Sequence, residues 1–124
     1  MAAQPQNISG CPVDLTEMKK SVGGKVEVIQ LLVNHIQVDF PEKLRLLRHG
    51  FETGDAGQVR ATAHTLKSSL ASFGAWEARD LARTIEAGGA AEELVAAEKL
   101  VPQLEKEIEK ILFFFSSDNW LEIL

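Results

Sequence analysis

Gln58-Val-Arg-Ala-Thr-Ala-His-Thr-Leu-Lys-Ser-Ser-Leu-Ala-Ser-Phe73 is the stretch on which the reading of the whole chain turns. Placed on a helical wheel at about 100° per residue, it separates into two faces. Val59, Ala63, Leu66, Leu70 and Phe73 gather on one side, the side that a helix must bury. His64 lies well round from them, on a strip left to solvent. Arg60 precedes it by one turn, Lys67 and Ser68 follow at i+3 and i+4, and Ala71 lies a turn further on, so all belong to the ring's surface neighbourhood. An imidazole is thus presented outward between two cations, with only small side chains beside it to hinder an approaching protein.

The flanks carry the punctuation of short helical connections. Gly54-Asp55 breaks the chain before this helix, with Asp55 as its cap, and Gly74 stops it. Upstream, Asp14 caps a short helix running through Lys20 that Gly23-Gly24 ends. A second helix starts near Lys25, with Val28, Leu32 and Ile36 as its apolar stripe, flanked by Ile29 and Leu31. Pro41 is placed at the start of a further helix, since proline is tolerated in a first turn, and Leu44, Leu47 and Phe51 continue at helical spacing. Downstream, one helix covers Ala75 to Ala87 before Gly88-Gly89. A last one runs from about Ala91 to Phe115, with Leu104, Ile108, Ile111 and Phe115 on its stripe and a kink or restart at Pro102. No segment alternates apolar and polar residues as a half-buried strand does. The expected fold is all-α, an antiparallel up-down four-helix bundle with a short additional N-terminal helix.

If Gly74-Ala75 turns the chain back on itself, residues equally far from the turn stand at one height. His64 and Glu86 are near-symmetric about Ala75. Glu86 then either accepts a hydrogen bond from one ring nitrogen, fixing the tautomer and freeing the other, or simply faces water. Arg83, a turn earlier, adds positive charge at that end of the site. A lone exposed histidine is usually inert. Here the lysine, the small neighbours, the glycine turn and the aligned carboxylate together point to a nucleophile, and a group with charge and acceptor oxygens, such as a phosphoryl group, suits the flanking cations.

Bulk properties narrow the classes. The 124 residues make one domain, 45% apolar and 25% charged, with Leu32, Leu47, Leu66, Leu81, Leu104 and Ile108 among the expected core. A net charge of −5 with no basic stripe argues against nucleic acid. A single cysteine, Cys11, cannot form an internal disulfide and fits a reducing compartment. No apolar run approaches the roughly 20 residues of a membrane helix. The polar start, Met1 to Gly10, shows no secretory signal, so a cytoplasmic protein is expected. His35 and His49 stand outside the motif, and no metal site is expected from three histidines at these spacings. Residues 1–12 are expected as a flexible tail, 13–115 as the bundle and 116–124 as a C-terminal tail. That last piece, with Trp120, Leu121 and Ile123, is too apolar for a free end: it either folds back over the bundle, the favoured expectation, or engages a partner or a second copy.

Ala63-His-Thr-Leu-Lys-Ser-Ser-Leu-Ala-Ser-Phe-Gly-Ala75 resembles the signature of the histidine-containing phosphotransfer (HPt) domain family: a histidine, then x-[Leu/Phe]-Lys-[Gly/Ser]-[Ser/Ala] and a Leu-Gly-Ala-like turn. Val13-Asp-Leu, Val22-Gly-Gly and Asp39-Phe-Pro-Glu-Lys-Leu44 resemble the family's opening segment, and the likeness covers about residues 13 to 115. It implies a four-helix bundle, reversible phosphorylation of His64 at Nε2 and Lys67 on the phosphoryl oxygens. It also implies a ring-orienting role for Glu86, at the place where the family carries Gln or Glu. Two departures are Ser68, where glycine is commonest, and Phe73, in place of an aliphatic residue. Ser68 is still small and can donate to a phosphoryl oxygen.

The function implied is that of a phosphorelay intermediate. His64 takes a phosphoryl group from a receiver-domain aspartate and passes it to another. The partners are then receiver domains of response regulators or of a hybrid sensor histidine kinase, whether the chain stands alone or forms part of such a kinase. No cofactor is expected, the Mg²⁺ of the transfer belonging to the receiver. The chain lacks a phosphate loop of the G-x-x-x-x-G-K-[ST] kind and is expected to be a carrier rather than an enzyme. The rival reading is a helical scaffold or inhibitor that binds receiver-like partners without ever carrying phosphate.

Overall fold

The structure is a computed structural model that describes residues 11–122. Among the described residues the chain is all-α: α1 (Leu15–Ser21), α2 (Val26–Thr53), α3 (Ala56–Ser72), α4 (Trp76–Ala90), α5 (Leu94–Glu98) and α6 (Val101–Phe114), then a 3-10 turn at Asp118–Glu122. The four long rods α2, α3, α4 and α6 form the bundle, with α3 and α4 as its most closely associated pair. The short α1 closes on α2 and α3, and α5 leads into α6.

Helix ends follow from side chains that satisfy the free amides of a first turn. Asp14 accepts from the Glu17 amide at 3.0 Å and Asp55 from the Gln58 amide at 3.0 Å. Gly54 ends α2 in the left-handed conformation, with a φ of 68°. Gly74, with a φ of 64°, makes the turn between α3 and α4, and a Cβ there would collide with Asp14. Asp14 donates its amide to the Phe73 carbonyl at 3.0 Å, so the start of α1 is fastened to this turn.

The core is one cluster along the bundle axis. Ile29, Val33, Ile36, Phe40 and Leu47 come from α2 and Val59, Ala63, Leu66 and Leu70 from α3. Ala82 and Ile85 come from α4, and Leu104, Ile108 and Ile111 from α6. Of the expected core residues, Leu32 and Leu81 are only partly buried and pack against its edge. At the end of the bundle that holds the Gly74 turn, a chain of rings closes the core. Phe40, Phe73, Phe115 and Trp120 follow one another with centroids 6.3, 5.8 and 5.2 Å apart. Trp120 is buried, 1% exposed.

Three expected helix boundaries need correction. Pro41 does not start a helix; it lies inside the continuous 28-residue α2. The buried residues on either side, Ile36 and Phe40 before and Leu47 and Phe51 after, belong to one stripe. Burying such side chains contributes about 1.5–3 kcal/mol each, more in sum than the roughly 3 kcal/mol a proline costs a helix. Gly88-Gly89 does not end α4, which runs on to Ala90. A Cβ at Gly88 would lie 2.6 Å from the Ala97 Cβ, and one at Gly89 would lie 2.9 Å from the Arg60 backbone nitrogen. These glycines permit close approach rather than a turn. The last helix does not begin at Ala91: α5 starts at Leu94, and the chain restarts as α6 with Pro102 in its first turn. Of the expected N-terminal tail, residues 1–10 lie outside the described residues. Cys11 packs half-buried against the core, its thiol donating to the Val13 carbonyl at 3.1 Å. At the other end, residues 123–124 also lie outside the described part.

Candidate functional site

α3 carries its buried stripe toward α2 and α4, which turns His64 out to solvent with 60% of its side chain exposed. The tight turn at Gly74 brings α4 back antiparallel. Glu86 comes to the height of His64, and its Oε2 lies 2.8 Å from the ring Nδ1. Its second oxygen, Oε1, lies 2.8 Å from the Lys67 ammonium. One carboxylate therefore holds two partners. Gly89, one turn beyond Glu86, lets α4 lie close against the backbone of Arg60 and keeps the two helices near each other at this level.

The charge on Glu86 assigns the ring tautomer. The Lys67 ammonium holds the carboxyl below its ordinary value, against the upward pull of partial burial and with further help from His64. An ionised carboxylate only accepts hydrogen bonds, so Nδ1 carries a proton and donates, and in the neutral ring the lone pair is then on Nε2. The arrangement orients an exposed imidazole, a ring that in its neutral form can act as a nucleophile.

Arg60, Ala61, Thr65, His64 and Glu86 line a shallow depression at this point. Arg60 is thus beside the ring, as its spacing predicts, and Ser68 is exposed one turn along the same face. Arg83 is not drawn into the depression. It is 64% exposed and its guanidinium lies 3.6 Å from Asp80, one turn back on its own helix. The other two histidines stand apart: the His35 Nε2 is 3.9 Å from Asp39, and the His49 Nδ1 is 3.5 Å from the Gln58 amide nitrogen. Among the described residues no group of three His, Cys, Asp or Glu side chains could hold a metal ion, and no helix is long and apolar enough to cross a membrane.

The bond between Lys67 and Glu86 is the feature that sequence reasoning missed. Symmetry about the turn sets Lys67 opposite Arg83, not Glu86. Only the length of the lysine side chain, which spans a helical turn, could have signalled the longer reach.

Comparison with known proteins bears on the family and the fold. The family model described as "Hpt domain" matches residues 31–112. The crystal structure of histidine-containing phosphotransfer protein B from Pseudomonas aeruginosa PAO1 is similar, with a TM-score of 0.79 and 25% sequence identity over 85% of this chain and 91% of that one. A search of curated proteins finds no sequence match. With two thirds of its length matched by the family model and a similar fold in that solved protein, the chain belongs to the Hpt domain family, the histidine phosphotransfer modules of phosphorelays.

Proposed function

We propose that this protein carries a phosphoryl group on His64 between the aspartates of two receiver domains. The observation that carries the reading is the exposed ring whose Nδ1 is held by Glu86 at 2.8 Å, so that Nε2 is the nitrogen left for the phosphoryl group. A receiver docks on this face with its aspartyl phosphate in line with Nε2. The lone pair of Nε2 forms the N–P bond as the P–O bond to the aspartyl carboxyl breaks, its electron pair leaving with the carboxylate. Delivery to a second receiver is the reverse of this step.

Such a transfer asks for positioning and charge stabilisation more than for elaborate covalent machinery. Glu86 orients the ring, and Lys67 and Ser68 meet the phosphoryl oxygens, with Arg60 as accessory positive charge. Arg83 contributes to the charge of the face rather than to the reacting atoms. The Mg²⁺ of the reaction is assigned to the receiver, because the carboxylate beside His64, Glu86, is already engaged by His64 and Lys67. The protein acts as substrate and donor, in the cytosol where such receivers work.

Incubation with receivers bearing radioactive aspartyl phosphate tests this. The wild-type chain is expected to acquire an acid-labile, alkali-stable label and to lose it to a second receiver. His64→Gln is expected to stay unlabelled while still docking. Label that persists in His64→Gln, or a wild-type chain that docks and never labels, returns the protein to the scaffold or inhibitor reading.

A further inference from the structure

Glu86 is a carboxylate with two claimants, and the reaction assigned to His64 changes what one of them wants. In the unphosphorylated protein Lys67 and His64 each take one oxygen at 2.8 Å. Lys67 is tethered there with its side chain only 29% exposed, and it sits on the same helix face as the ring, one turn along. A phosphoryl group on Nε2 would bring about two negative charges and three strong acceptor oxygens within reach of the same ammonium.

We propose that Lys67 is handed over: it pairs with Glu86 while His64 is bare and leaves for the phosphoryl oxygens once His64 is phosphorylated, turning the whole carboxylate charge onto the ring's Nδ1–H. The inference rests on the function proposed above and deepens it. Its chemical consequence lies in the onward step. When Nε2 attacks phosphorus, Nδ1 keeps its proton and the ring becomes cationic. If that proton stays, the N–P bond later breaks with its electron pair returning to a neutral imidazole, a good leaving group. If it is lost, the ring must depart as an anion, a poor one. A carboxylate freed of Lys67 holds the Nδ1 proton more strongly, so the hand-over keeps phosphohistidine a ready donor. A neutral amide in place of Glu86 could orient the ring but could not be switched in this way. Lys67 is therefore a positioning residue in the bare protein and a phosphoryl contact in the loaded one.

The test uses the full chain, with phosphoramidate as phosphoryl donor so that no receiver is required, and the NMR signal of the Lys67 ammonium as reporter. In the bare protein, Glu86→Gln is expected to move that signal and speed its hydrogen exchange. In the phosphorylated protein, the Lys67 signal is expected to be the same whether residue 86 is Glu or Gln. Phosphohistidine in Glu86→Gln is expected to live severalfold longer than in the wild type, both in buffer and against an acceptor receiver. A Lys67 signal indifferent to Glu86→Gln in the bare protein, a dependence on Glu86 that survives phosphorylation, or an unchanged lifetime would each overturn the hand-over. If phosphoramidate loads His64 as described but receivers never do, the relay reading alone fails. If neither donor loads it, both fail.

Discussion

Protonating Glu86 removes the negative charge that two partners share, so the residue couples the site to the stability of the α3–α4 hairpin. Its carboxyl is held below the ordinary value of 4.5, chiefly by Lys67. A carboxyl lowered in the folded state stabilises the fold fully above its unfolded value and loses that contribution as pH falls through the folded one. Wild type is therefore expected to melt above Glu86→Gln at neutral pH and to converge with it in acid, below the carboxyl's lowered folded value. For a partly exposed pair worth about 0.2–1 kcal/mol, the neutral-pH gap is no more than about 5 °C by calorimetry. Curves that stay parallel down to pH ~2 would show that the carboxylate is not held as described. The pairing of His64 with Glu86 was legible in the sequence because both residues stand equally far from a glycine turn and both are short enough for height alone to decide contact. Lys67 was not, because a long flexible side chain selects partners by reach and charge, which spacing does not encode. Arg83 is likewise placed by reach and charge: its own helix offers Asp80 one turn away.

Helix interiors hold the residues that looked like boundaries. Glycine and proline are ambiguous signals, since each marks either a chain break or a place where packing overrides local preference. Pro41 is exposed, and the stripe from Phe40 to Leu47 holds α2 together around it. Pro41→Ala is expected to restore a backbone hydrogen bond and stabilise the protein by about 1–3 kcal/mol in urea unfolding. Loss of stability would mean the helix needs the proline. Gly89→Ala tests the other case. Alanine is the better helix former by about 1 kcal/mol. At this position, however, its methyl group would press on the backbone of Arg60, which is not free to move aside. The net expectation is destabilisation of about 1–3 kcal/mol, with a weakened His64–Glu86 bond. Gly57→Ala, whose added carbon meets only the Asp55 carboxylate at 3.5 Å, serves as the control and is expected to stabilise by about 0.5–1 kcal/mol. Equal effects at the two sites would remove the close-approach explanation.

On the scale of the whole molecule, two ends of one bundle do different work. The turn end is closed by Phe40, Phe73, Phe115 and Trp120, which bury the apolar ending that a free tail could not carry. Further along the hairpin, α3 and α4 present His64. The apolar character of the ending was readable from composition; that Trp120 completes a ring stack begun on α2 was not, because the contact joins residues far apart in sequence. Phe73, a departure from the aliphatic residue usual in the family, is explained by the same stack. Trp120→Ala is expected to cost about 3–5 kcal/mol, and removal of residues 117–124 to lower the melting temperature by a comparable margin. An unchanged melting temperature would show that the ending does not hold the bundle. Neither change is expected to abolish phosphorylation of His64 in the fraction that stays folded. The claim on which the rest depends is that His64 is an oriented nucleophile with Nε2 free, and the bonding of its two nitrogens can be read directly. In ¹⁵N-labelled protein, the account predicts a proton on Nδ1 before phosphorylation and a ¹⁵N–³¹P coupling at Nε2 after it. A phosphorus atom found on Nδ1, or on another residue, would contradict it.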